Sequence, residues 1–142
     1  MQTFLPYDDF KKSALVLDRR RLGKQRVEAM QILSILAGRG KSGAWINHPA
    51  VKMWRGYEWA LFQYIKAVCA AWTGFGYKDT CLEKSKRIIK SLGVIKKEMP
   101  PWLGRQDFHN SHRSNLLRKN KEFYARYFNN DISDDLPYIW PV

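Results

Sequence analysis

The segment Leu17-Asp18-Arg19-Arg20-Arg21-Leu22-Gly23-Lys24-Gln25-Arg26-Val27-Glu28-Ala29-Met30-Gln31-Ile32-Leu33-Ser34-Ile35-Leu36 decides the fold class. Leu22, Ala29, Leu33 and Leu36 recur at intervals of seven, four and three residues, which stacks them on one side of an α-helix running from Asp18 to about Ala37. Arg21, Lys24, Gln25, Glu28 and Gln31 fall on the opposite side. Gly38 and Gly40 close the element, because glycine takes the left-handed conformation that ends helices.

The flanking sequence repeats the pattern. Pro49 suits a first helical position, with His48 or Asn47 as cap, and the helix it opens runs to about Trp72. Val51, Trp54, Leu61, Ile65, Val68 and Trp72 form its apolar stripe, and Gly74 with Gly76 stops it. Thr80 and Glu83 have the spacing of a capping box for a basic helix that ends near Gly93. Pro100 and Pro101 mark a turn, and Asp107 to Phe128 reads as one broken or two short helices. The segment from Leu136 to Val142, too apolar for a free tail, should pack back over the helices in extended form. Strand signals are weak, so the expected fold is all-α: one helical domain over residues 1–142, with a long central helix and an extended aromatic C-terminal segment.

A hydrophobic content of 45% and an aromatic content of 14% support a core in a chain of 142 residues and exclude general disorder. No apolar run approaches a membrane span, and Asp8 and Asp9 interrupt the stretch where a secretory signal would be apolar. A cytoplasmic protein is expected, in a bacterial nucleoid or a phage-infected cell, with no membrane partner. Cys69 and Cys81 are too few for a disulfide framework and lack zinc-site spacing, so they read as thiols in or near a helical core.

The charge points to a polyanion. Lys11, Lys12, Arg19, Arg20, Arg21, Lys24 and Arg26 crowd the first helical region, and Arg113, Arg118, Lys119 and Lys121 crowd the last. A net charge of +12 on so short a chain repels itself unless an anionic polymer relieves it. If about six of these side chains contact phosphates, counterion release gives a slope of log K against log salt of roughly −5. Most of the aromatics belong to the core, and Trp102, Tyr138 and Trp140, beside prolines, are the better candidates for contact with bases.

Glu28 is the informative acid. It is a lone carboxylate in a cationic strip, where it either pairs with Lys24 one helical turn earlier or performs acid and base work on a sugar or base. His48, His109 and His112 lack an acidic cluster that would make them metal ligands and read as caps or phosphate contacts, so neither a metal nor a cofactor is expected. No phosphate-binding glycine loop, nucleophile elbow or deaminase signature is present.

The opening Met1-Gln2-Thr3-Phe4-Leu5-Pro6-Tyr7, the run from Leu17 to Glu28, and the segments around His48-Pro49 and Ser111-His112-Arg113 together resemble the pyrimidine-dimer DNA glycosylases of the phage endonuclease V type. The resemblance implies a small helical repair enzyme that flips a nucleotide, removes a damaged pyrimidine through an imine and nicks the strand by β-elimination without a cofactor. It places the family's catalytic glutamate on Glu28, with Leu22 matched to the leucine six residues before it, and the nucleophile on the chain's own α-amine. The founding enzyme exposes a small residue there. With the bulky Gln2 at position 2, Met1 is expected to be retained. An α-amine titrates near 7.7 to 8.0 against about 10.4 for lysine, so far more of it is the neutral nucleophile at pH 7. The interval from the amine to Glu28 is longer than in the founder, so an insert around Pro6 to Phe10 has to fold away.

Arg20, Arg21, Lys24, Gln25, Arg26, His48, His112, Arg113, Arg118 and Lys119 are the expected contacts to double-stranded DNA with damaged pyrimidines, bound by a monomer with no obligate protein partner. Two other readings fit the residues: a DNA-binding module without catalysis, and the same chemistry directed at another modified or damaged pyrimidine.

Overall fold

The computed structural model describes residues 1–39, 43–128 and 132–142. The elements are α1 (Phe10–Val16), α2 (Arg19–Leu36), a 3-10 turn (Gly43–Asn47), α3 (Pro49–Lys52), α4 (Glu58–Gly74), α5 (Cys81–Ser91), α6 (Gln106–Lys119) and α7 (Lys121–Tyr124). No strand occurs among the described residues, and the fold is all-α as the periodicity requires. Helix α4 lies at the centre, against α1, α2 and α5. Leu22, Ala29 and Leu33 of α2 meet Leu61, Ile65 and Val68 of α4 in a core from which solvent is excluded. Both cysteines are buried as free thiols.

Local chemistry sets the boundaries, in places differently from the sequence reading. Helix α1 begins where the Asp9 carboxylate accepts from the Lys12 amide at 2.8 Å. His48 is the cap expected before Pro49, its Nδ1 accepting from the Ala50 amide at 3.0 Å. The helix expected from Pro49 to Trp72 is broken instead, because Gly56 adopts φ +84° and turns the chain between α3 and α4. The Thr80 hydroxyl makes no capping bond. The Asp79 carboxylate, a stronger acceptor one residue earlier, takes the Cys81 and Leu82 amides at 3.2 and 2.9 Å. Gly38 ends α2 at φ +73°, whereas Gly40 lies outside the described residues. Asn120 separates α6 from α7, which gives the two short helices expected after the prolines. Trp102 is not a surface aromatic: it is 5% exposed, and its indole N–H donates to the Met53 carbonyl at 3.0 Å.

The amino-terminal segment is threaded into the core. Gln2, Thr3, Phe4 and Leu5 are all buried. Burying an apolar side chain such as Leu5 contributes about 2 kcal/mol, but an extended strand with no sheet partner also brings backbone groups that need bonds. Side chains supply them. Trp54 donates its indole N–H to the Thr3 hydroxyl at 3.1 Å, and the Leu5 amide donates to His112 Nδ1 at 2.8 Å. His109 Nε2 accepts from the Gly104 amide at 2.9 Å, so its Nδ1 carries the hydrogen and donates to the Leu5 carbonyl at 2.7 Å. The insert at Pro6 to Phe10 folds away into the start of α1, where Ser13 exchanges hydrogen bonds with the Tyr7 backbone.

Both histidines are held neutral. Burial drives His112 down to about 3, helped by neighbouring His109, and burial also lowers His109. A histidine lowered in the fold binds its proton more tightly when unfolded, so its contribution is complete above the ordinary value near 6.5 and is lost as pH falls below it. Urea unfolding between pH 7 and pH 4 should therefore lose about 1 kcal/mol per pH unit through His112 on the acid side of 6.5, and His109 adds to the loss in the same direction. His112→Asn, which keeps an acceptor for the Leu5 amide but does not titrate, should flatten that limb; an unchanged slope would remove His112 from the account.

Candidate active site

Gln25 sits on the face of α2 that the helical count assigned to solvent, yet it is 1% exposed. The amino-terminal segment covers it. Its Oε1 accepts from the Phe4 amide at 2.9 Å and lies 2.6 Å from the Tyr64 hydroxyl, which is also 2.9 Å from the Phe4 carbonyl. Its Nε2 donates to the Gln2 carbonyl at 2.9 Å and to Glu28 Oε2 at 3.3 Å. A single amide side chain thus fastens the chain start to α2, with both ends of the amide in use. The same Glu28 oxygen accepts from the Gln2 amide at 3.2 Å, one residue from the terminal amine.

Met1 and Glu28 open on a common cleft of about 650 Å³, of a size that accepts nucleoside-sized ligands. Arg20, Arg21, Lys24, Gln25, His48 and Lys119, six of the expected DNA contacts, also line it. Asp18 shares this wall, but its charge is committed: it caps α2, pairs with Arg21 at 3.0 Å and is bonded by the Tyr124 hydroxyl. Burial raises the Asp18 carboxyl, and the bonds from Tyr124 and Arg21 outweigh it and leave the group below its usual range. Arg21 is therefore compensated locally, which leaves Arg20, Lys24 and Lys119 as the cationic side of the cleft.

The other wall is aromatic and comes from the far end of the chain. The tail returns because Ser114 Oγ accepts from the Leu136 amide at 2.9 Å, Ser111 Oγ from the Ile139 amide at 3.2 Å, and Asn115 donates to the Leu136 carbonyl at 3.1 Å. Tyr138 and Trp140 line the cleft, with ring centroids 5.6 Å apart. His48 meets Trp140 edge to face at 5.8 Å. Its cap bond to Ala50 leaves Nε2 to carry the hydrogen of the neutral ring, and burial, followed by the nearby terminal ammonium, pushes its pKa below the ordinary value.

Four expected DNA contacts are drawn elsewhere. Arg26 pairs with Asp79 at 2.5 Å and lies over the Trp72 ring, tying α5 to α2. Asp79 stays below its usual range even though burial raises it, because the Leu82 amide and Arg26 bond the charged form. His112 is fully buried under Leu5. Arg113 donates through Nε to the Pro6 carbonyl at 2.7 Å and covers the Tyr7 ring. Arg118 holds the tail through the Asp134 and Leu136 carbonyls. A charge count cannot separate these from solvent-facing cations, because the carbonyls and rings that claim them are remote in sequence.

Gly23 escaped the sequence reading for the same reason. A Cβ there would come within 3.1 Å of the Trp72 ring, so the mid-helix glycine serves the packing of α4 against α2. Gln2, Phe4 and Asn120 also line the cleft, and only the nearness of Gln2 and Phe4 to Met1 could have signalled it.

Comparison with known proteins supplies one finding. The family model described as pyrimidine dimer DNA glycosylase matches residues 1–85. No curated protein and no solved structure matches the chain. The matched stretch carries Met1, Glu28, His48 and α1 to α4, while α6, with His109 and His112, lies beyond it.

Gln25→Leu strips partners from the Phe4 amide and the Gln2 carbonyl, both buried, and should cost about 2 to 4 kcal/mol in urea unfolding. Hydrogen exchange at Phe4 and Leu5 should accelerate in the variant. Unchanged protection at those two amides would show that Gln25 does not anchor the chain start.

Proposed function

The chain belongs to the pyrimidine dimer DNA glycosylase family, and we propose that it excises pyrimidine dimers from duplex DNA and then nicks the strand, through an imine on the Met1 amine. The family assignment makes it a DNA repair glycosylase acting on damaged DNA. The finer reading rests on one observation: Glu28 Oε2 bonds the Gln2 amide at 3.2 Å, so the carboxylate and the chain's α-amine face one cleft.

The neutral amine attacks C1′ of the flipped nucleotide as the glycosidic bond breaks, and the base leaves with the electron pair and takes up a proton. The nitrogen then loses its proton, the C1′–O4′ bond opens with protonation of O4′, and a cationic imine results. A carboxylate beside it stabilises that cation, and Glu28 is the acid at the right place. Removal of a 2′ proton by the same carboxylate sends electrons toward C3′ and expels the 3′ phosphate. Arg20, Lys24 and Lys119 hold phosphates at the rim, and Tyr138 and Trp140 offer ring faces to an unstacked base. Flipping costs least where stacking is already weak, which favours a damaged site.

Borohydride reduction of the native protein on an abasic duplex should give a covalent adduct that maps to residue 1, with Met1 retained by intact mass. Glu28→Gln should lower strand cleavage by about 10² or more. Absence of any adduct ends the imine mechanism, and an adduct on an internal lysine removes Met1 from the nucleophile's role.

A further inference from the structure

We propose a second phosphate-binding site for the same duplex, in the groove between α2 and α5, formed by Arg39, Lys84 and Arg87. The inference rests on the duplex lying in the cleft of Met1 and Glu28, and it concerns a surface outside that cleft. The groove has a volume of about 340 Å³, and Gln31 and Ser34 are part of its floor. Its three cations are exposed, and among the described residues none is within ion-pair distance of a carboxylate. Arg26, by contrast, is neutralised by Asp79. Three uncompensated cations converging on one depression repel one another and call for an anionic ligand.

Continuity identifies that ligand. A shallow groove of about 760 Å³ runs along α2, lined by Arg20, Lys24, Glu28 and Gln31. It shares Glu28 with the cleft and Gln31 with the α5 groove. The exposed ridge of α2 is therefore bordered by one unbroken band. Its cations lie to both sides of Glu28: Arg20 and Lys24 toward the start of the helix, and Arg39, Lys84 and Arg87 around the groove that Gln31 and Ser34 line toward its end. A polyanion threaded along this band carries its phosphates on the cations and places a sugar at the carboxylate, which a small anion or an acidic side chain cannot do. The α2 residues that line the α5 groove extend to Ser34, six residues beyond Glu28 and about 9 Å from it at 1.5 Å per helical residue. At 3.4 Å per base pair that reaches about three base pairs from the lesion.

The test uses the full chain with Lys84→Gln and Arg87→Gln combined, residues remote from the cleft. On a dimer-containing duplex of about 30 base pairs, binding should weaken roughly tenfold at moderate salt, and the log K against log salt slope should shrink by about two. Single-turnover cleavage at saturating DNA should be unchanged. Duplexes with one flank or the other cut to about two base pairs locate the contact. On one of the two the wild-type protein should fall to the affinity of the variant, and on the other the tenfold difference should persist. Equal affinity of the two proteins for the long duplex, or the same difference on both shortened duplexes, overturns the site. Borohydride trapping of the wild-type protein on an abasic duplex is read separately, so failure of the imine mechanism and failure of this surface are distinguishable.

Discussion

The backbone of one residue fixes this molecule. The amide and carbonyl of Leu5 are held between two neutral histidines of α6, His112 accepting from the nitrogen and His109 donating to the oxygen. An extended segment with no sheet neighbour cannot remain in a helical core unless its backbone is satisfied by side chains. The histidines meet that demand at Leu5, Gln25 and Tyr64 meet it at Phe4, and Trp54 bonds the hydroxyl of Thr3. Everything at the cleft follows. With residues 2 to 5 buried, Met1 is brought to the cleft beside α2, whereas chain ends ordinarily fray.

The cleft is assembled from both ends of the chain. The start is pinned by α6 and α2, and the tail returns on Ser111, Ser114 and Asn115 of the same α6. Helix α6 therefore organises the wall built by the chain start on one side and the aromatic wall on the other. Its polar residues Ser111, His112, Ser114 and Asn115 are buried because they bond these two segments. A carboxylate among cations is costly for binding phosphates and useful for stabilising a developing cation, which is the chemical rationale for the role proposed for Glu28.

Much of the fold was legible in the sequence. The period of Leu22, Ala29 and Leu33 is local, and it correctly placed α2 against the core. Proline at the first position of α3, glycine at the end of α2 and the apolar tail acted through equally local rules. The breaks at Gly56 and the cap at Asp79 were missed because each depends on which of several competent residues the tertiary structure engages. Among the site residues, Met1, Glu28, Lys24 and His48 were legible through resemblance and charge, and all line one cleft.

By itself the sequence determined a helical chain with a surplus of cations and one acid on a basic helix, because periodicity and net charge need no knowledge of distant neighbours. Tertiary structure alone decided which cations face solvent. Arg26, Arg113 and Arg118 are claimed by Asp79, by the Pro6 carbonyl and by the returning tail, and Gln25 is covered by the first five residues. It also decided that the Gln2 amide and Glu28 meet, a contact across 26 residues of chain. Such a contact depends on hydrogen bonds from a helix more than 100 residues away, and no local pattern encodes it.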